Sequence, residues 1–268
     1  MRDLSKIPLV SIVMPSFNQC DYLERAILSV LNQTYPNMEL IVIDGGSTDG
    51  SVEILEKYSK QLKYWVSEKD HGQSHAVNKG IAIAKGEWVG WQNSDDLFAS
   101  DGIEKLMECA MRHPDAKLVI GDMCLIDQHD KKTRELRYIK PTYQGILAEG
   151  MVLTNQSALW QRSIHNEIGL LDEALHYGFD YEWFLRVLKK YQAAHTPHVV
   201  GFLRIHDQTK SWKYHARFLA DYDQILSGRK VGKVKKLAYK IRRYSIHLIS
   251  GHFSHLFKQT IYYFSKHD

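Results

Sequence analysis

The feature that most constrains this chain is an alternation of short β-branched runs with helix-period stretches, each run stopped by Pro, Gly or Asp. Leu9-Val10-Ser11-Ile12-Val13-Met14 stops at Pro15, and Leu40-Ile41-Val42-Ile43 stops at Asp44-Gly45-Gly46. Both read as buried parallel strands. Between them Tyr22, Leu23, Ala26, Ile27, Val30 and Leu31 keep helical spacing, with Asn18 or Asp21 available as the cap. The resulting βαβ unit continues with a helix over 51–58, a strand over 63–66, a helix over 74–84, a strand over 88–91, a helix over 101–112 and a strand over 118–121. This pattern predicts an α/β chain with a mostly parallel, Rossmann-like sheet covered by helices on both faces. Residues 122–160 carry no clear period. Order returns with a helix for which Asp180 is available as the cap, and whose apolar face is Trp183, Phe184, Val187, Leu188 and Tyr191. A strand near 199–203 and a helix over 211–226 follow.

In open parallel sheets, ligands bind beyond the carboxyl ends of the strands, so the polar residues after each run are the candidate site. They are Pro15-Ser16-Phe17-Asn18, Asp44-Gly45-Gly46-Ser47-Thr48-Asp49-Gly50 and Asn93-Ser94-Asp95-Asp96. Turn chemistry alone would explain any one of them; their convergence on one rim is what points to a ligand. Neither a G-x-G-x-x-G dinucleotide turn nor a G-x-x-x-x-G-K-[ST] phosphate loop is present. The pattern therefore predicts a nucleotide base read by a carboxylate such as Asp44. It also predicts a diphosphate held through a divalent cation on Asp95 and Asp96, since adjacent carboxylates suit hard, oxygen-seeking metals.

These stretches, together with Gln33-Thr34-Tyr35-Pro36-Asn37, resemble in order and spacing the successive signatures of the family-two inverting glycosyltransferases of bacterial glycan assembly. The resemblance covers residues 8 to about 225 and implies the GT-A fold, a nucleotide-binding α/β half followed by an acceptor-binding half. Carried over by position, it implies that Pro15, Ser16, Asn18, Asp44 and Gly45 line the nucleotide. Asp70 and Gln73 supply a second base-proximal segment, with Lys79 in the helix that follows. Asp95 lies near the ribose or donor sugar, and Asp96 is the direct ligand of Mn²⁺ or Mg²⁺. His206 is placed where relatives can add a metal or diphosphate ligand. Asp180, in Gly178-Phe179-Asp180-Tyr181-Glu182-Trp183, falls in the segment that carries the catalytic base. Here the chain departs from the family's Glu-Asp pair, because Phe179 replaces the first acid. Trp91 and Trp183 could stack on a sugar or base, although apolar periodicity favours core packing for Trp183.

The implied reaction is inverting transfer from a UDP-hexose or UDP-N-acetylhexosamine donor to a hydroxyl of a glycan or lipid-linked glycan. A nucleotidyltransferase has overlapping demands but would carry a basic Gly-rich loop early in the chain, where Pro15–Asp21 has none. A non-catalytic glycan-binding module is the reading from another class.

Composition adds bounds. Of the 268 residues, 44% are hydrophobic and 25% charged, as in ordinary globular proteins. Cys20, Cys109 and Cys124 have no C-x-x-C spacing, which argues for reduced thiols and a cytoplasmic setting. No apolar run reaches the length of a membrane span. The net charge of +4 hides an asymmetry, because residues 228–268 carry ten Lys and Arg against one acid and leave the rest of the chain at −5. The expected division is a catalytic domain at 1–227 and a basic tail at 228–268. Within the tail, Val234, Leu237, Ala238, Ile241, Tyr244 and Leu248 keep helical spacing among Lys and Arg. That suits either an anionic membrane surface contacted through residues 229–248, at the inner face of the cytoplasmic membrane, or a helix packed back on the domain. No nucleic-acid module accompanies it, so nucleic acid is not an expected partner.

Overall fold

The computed structural model describes residues 7–207, 209, 215–229 and 231–249. Its first half is the predicted parallel unit. Strand β1 (Val10–Ser16) lies between β2 (Met38–Asp44) and β4 (Trp88–Trp91), and β3 (Tyr64–Ser67) edges β2, all parallel. Helices α1 (Cys20–Leu31), α2 (Ser51–Tyr58) and α3 (Gln73–Ile83) make the crossovers. Residues on β1 alternate between two cores, as a sheet covered on both faces requires. Val13 packs with Val77 and Ile81 of α3, whereas Ile12 and Met14 pack with Leu23 and Ile27 of α1. The α3 contact is close because residue 80 is glycine: a Cβ there would sit 2.3 Å from a Val13 methyl.

The second half is mixed. Its elements are β5 (Leu97–Phe98), α4 (Gly102–Arg112), β6 (Ala116–Ile126), β7 (Lys132–Leu136), α5 (Tyr143–Glu149), β8 (Ala158–Gln161), α6 (His165–Ile168), α7 (Phe179–Lys190), β9 (Gln192–Arg204), α8 (His215–Ile225) and α9 (Lys233–Ile249). Strand β8 runs antiparallel to both β4 and β6 and so joins the halves into one sheet of order β3-β2-β1-β4-β8-β6-β9-β5, with β7 on β6. The aperiodic 122–160 stretch thus holds the end of β6, β7, α5 and most of β8. Its strands are short or solvent-facing on one side, and so leave little alternation to read. Strands β6 and β9 are longer than expected, and their pairing shifts register around Gly121–Met123.

Two cap expectations are corrected. Helix α1 starts after Gln19, which makes no side-chain cap bond; Asn18 instead has a left-handed backbone, and its Oδ1 accepts Thr48 N–H at 3.0 Å. Helix α7 starts after Gly178, so Asp180 lies inside the first turn, where its Oδ1 accepts Tyr181 N–H at 2.7 Å. The turn before that helix is tied from outside it: Asp221 of α8 accepts the N–H groups of Tyr177 and Gly178, each at 3.0 Å. The helix expected over 211–226 is described from His215, and residues 211–214 lie outside the described set. Helix α9 docks on α5 through Tyr239 against Gly145 and an Arg243–Glu149 ion pair of 2.7 Å. No helix among the described residues is long and apolar enough to cross a membrane.

Candidate active site

Parallel register brings the strand ends level. Ser16 pairs with Asp44, Asp44 with Ser67, and Trp91 with Val13, so the loops after β1, β2, β3 and β4 leave from one edge. A cavity of about 550 Å³ opens there. Pro15, Ser16 and Phe17 after β1, Asp70 and Gln73 after β3, and Trp91 with Asn93–Asp96 at the end of β4 line it. From the second half come Gln156, Phe179, Asp180 and Arg204, with Phe218, Leu219 and Tyr222 of α8.

Asp95 and Asp96 have different surroundings. Asp96 is buried; its Oδ1 accepts Arg204 N–H at 2.8 Å, and its Oδ2 accepts Gln156 Nε2–H at 2.7 Å and Asn93 Nδ2–H at 3.0 Å. Burial, and next the charge of Asp95, push its carboxyl well above the usual range. Asp96 thus lines the cleft and also ties the β4 loop to Arg204, Gln156 and Asn93. Asp95 is the more open acid, and its Oδ2 lies 3.1 Å from His206 Nε2. Asp95 lines the cleft, whereas the His206 side chain is nearly buried behind it, next to the cleft-lining Thr209. Among the described residues no group of three or more His, Cys, Asp or Glu could hold a metal. The donor pair fits a hard divalent cation that completes its shell with phosphate oxygens and water.

The neighbouring loops are held by side chains that do not face the cleft. Asp44 is 0% exposed, and its carboxylate accepts from Ser47 N–H (2.8 Å), Gly46 N–H (3.1 Å), Ser47 Oγ (2.6 Å) and Ser67 Oγ (2.7 Å). Contrary to its assignment as the base reader, it knots the β2 and β3 loops together. Gly45 leaves room for Asp70 and Phe17, because a Cβ there would fall 2.9 Å from Asp70 Oδ2 and 3.2 Å from the Phe17 ring. Asn18 ties the β1 loop to Thr48, and Lys79 pairs with Glu68. Asn18, Asp44, Gly45, Lys79 and His206 are thus absent from the cleft wall, whereas Pro15, Ser16, Asp70, Gln73, Asp95, Asp96 and Asp180 line it. Ser16 Oγ is buried at the cleft with no hydrogen-bond partner among the described residues, which leaves it to a ligand.

Asp180 faces the cavity from the start of α7. Burial pushes its carboxyl up to about 6, against the lowering effect of the N–H groups of Tyr181 and its own backbone. Burial and, after it, the charge of Asp180 raise the Tyr222 hydroxyl. Trp91 stacks on Phe179 at 5.5 Å and 17°, in the place of the missing first acid. Trp183 packs against Trp160 and His165 in the core.

Several lining residues do more than their place in the sequence indicates. Asn93, in the polar stop after β4, accepts at its Oδ1 from both Trp91 Nε1 (2.8 Å) and Gln73 Nε2 (2.9 Å). Gln156 lies in the aperiodic stretch. Arg204 is buried beneath the Asp95–Asp96 turn, where its Nε donates to Asp95 O at 2.7 Å and its guanidinium covers the Tyr22 ring at 4.8 Å. Only its place just before the flagged His206 hinted at this.

Comparison with known proteins accounts for the arrangement. The sequence model of Glycosyl transferase family 2 matches residues 11–169. An uncharacterized glycosyltransferase of Haemophilus influenzae is 30% identical over 240 residues, covering 88% of this chain and 94% of its own length. Among solved structures, S. aureus TarS in complex with UDP-GlcNAc superposes with a TM-score of 0.68 at 16% identity, over 85% of this chain and 69% of that one. A mannosyltransferase from Pyrobaculum calidifontis, in complex with GDP-Man and Mn²⁺, gives a TM-score of 0.62 at 20% identity, over 81% of this chain and 64% of that one. Fold, strand-end cleft and sequence agree: the chain belongs to glycosyl transferase family 2 and has the GT-A fold.

Proposed function

We propose that this glycosyltransferase moves a hexosyl or N-acetylhexosaminyl group from a UDP-linked donor to a hydroxyl of a glycan or lipid-linked glycan, inverting the anomeric centre. The observation that carries the reading is that Asp95 and Asp180 line the same cleft, with His206 directly behind Asp95. In this reading residues 1–227 form the catalytic unit and 228–268 its appendage. Phe17, exposed beside Gly45 and Asp70, stacks on the base, and Asp70 accepts from the base imide in place of Asp44. Ser16 Oγ and Gln73 bond the nucleotide. The family and a neighbour solved with Mn²⁺ support use of a divalent cation, here held by Asp95 and His206. When bound, it would offset the negative charge of the leaving diphosphate. Asp96, held by Arg204, Gln156 and Asn93, keeps Asp95 in position.

Asp180 accepts the proton of the acceptor hydroxyl. A carboxylate that titrates near 6 is mostly ionised at neutral pH yet basic enough to share a proton in the transition state. The acceptor oxygen, positioned by Asp180, attacks the anomeric carbon opposite the diphosphate, and a single displacement of that kind inverts configuration. The rings of Phe218 and Tyr222, which line the cleft, offer an apolar surface against the acceptor. A lipid-linked acceptor would place this chemistry at a bilayer surface.

The direct test is a panel of nucleotide sugars with purified protein, with Mn²⁺ or Mg²⁺ present or chelated, read by release of nucleoside diphosphate. A UDP-sugar should be turned over only with metal. Turnover confined to GDP-sugars, or undiminished in excess chelator, refutes the corresponding part of the proposal.

A further inference from the structure

Helix α9 has two opposed faces, and among the described residues only one packs on the domain. Tyr239, Arg243 and His247 turn toward the domain: Tyr239 meets Gly145, Arg243 pairs with Glu149, and His247 is buried. On the other side Val234 is 82% exposed, Leu237 59%, Ile241 57% and Leu248 45%. At about 100° per residue these four fall within roughly 60° of arc, nearly opposite the docked face. Lys233 and Lys240 border this stripe on one side, Lys235 and Arg242 on the other, all exposed, and the helix contains no acid.

We infer that this face of α9 seats the protein on an anionic lipid bilayer. Charge selects this occupant. An apolar row with cations along both borders matches a surface that offers acyl chains below and negative headgroups on each side. A second copy of the same stripe would bring the bordering cations of the two helices against one another, which opposes self-pairing. Since α9 is docked on α5, it lies on the bilayer as a prop for the folded domain and does not insert across it. The inference is independent of which sugar or metal the cleft uses.

The test uses the full chain with sedimented vesicles of phosphatidylcholine alone or with roughly 30% phosphatidylglycerol. Binding to the anionic vesicles should be at least about tenfold stronger and should fall as salt rises. Leu237→Glu with Ile241→Glu should abolish it, as should Gln at Lys233, Lys235, Lys240 and Arg242 together. These positions are exposed, so melting temperature and donor turnover in solution should be unchanged, which separates loss of docking from loss of fold or of activity. Equal binding to both vesicle types, equal binding by the doubly substituted chain, or no binding by the wild type overturns the inference. If the wild type instead sediments as a dimer that the Glu pair dissociates, the stripe is a self-interface.

Discussion

Asp180 shows how one residue's surroundings decide its role. Because its carboxyl is raised from 3.8 to about 6, the folded protein binds an extra proton between those values. Ionisation therefore costs stability as pH rises through that window, and the full cost is present above it. Asp180→Asn removes the cost, so the variant should melt higher than wild type at pH 7, by an equivalent of about 1–3 kcal/mol. At the same pH it should lose on the order of 10²- to 10⁴-fold in turnover, because an amide cannot accept the proton. Wild-type kcat/KM should fall as pH drops below about 6, and the residual activity of the variant should lack that limb. A purely structural Asp180 would give the same gain in melting temperature but neither the loss of turnover nor the change in profile. The two adjacent acids of the β4 loop should separate just as clearly. Asp95→Ala and His206→Ala should weaken Mn²⁺ binding in the presence of UDP by on the order of 10- to 100-fold, read by titration, and leave the fold intact. Asp96→Ala strips partners from Arg204 N–H, Gln156 and Asn93, and should lower the melting temperature by an equivalent of about 1–3 kcal/mol for each donor left unpaired.

Among the elements, those that cover the parallel half were legible because each buries one apolar stripe or face. Helix α2 and strand β4 match their expected bounds, and α3 differs by one residue at each end. What could not be read was where one element approaches another. Gly102 opens α4 beneath β9, and a Cβ there would sit 2.1 Å from the Val200 carbonyl oxygen. Gly102→Ala should therefore force backbone apart and destabilise by about 1–3 kcal/mol in chemical denaturation, with little change in the slope. The start of α7 is a second case. Asp221 lies on α8, more than forty positions from the N–H groups it receives, so no local capping pattern could reveal it. Asp221→Ala should loosen the turn that carries Asp180 and lower kcat more than it raises KM for the donor. The opposite split would make α8 a donor clamp.

For the molecule as a whole, the cleft draws walls from both halves of the sheet, so a bound nucleotide should stabilise the fold globally. At a hundredfold excess over Kd, UDP with Mn²⁺ should add about 2.7 kcal/mol and raise the melting temperature by several degrees. GDP, or UDP with chelator, should give less, and an equal shift from all three would contradict the proposed base and metal contacts. Strand period, helix period and the polar stops after each run are local properties, so the α/β class, the strand-end rim and the family resemblance were all present in the order of residues. Asp70, Asp95 and Asp180 could be named in advance for that reason. Which acid faces solvent is not local. Asp44 and Asp96 carry the same carboxylate as Asp70 and Asp95, and only the donors folded around them, from Ser67 on β3 and from Gln156 and Arg204 in the second half, turn them into internal ties. The sequence by itself determined where carboxylates would gather. Tertiary structure decided which remain open to a ligand, because exposure depends on long-range packing and a buried acid must take its hydrogen bonds from whatever the fold brings beside it.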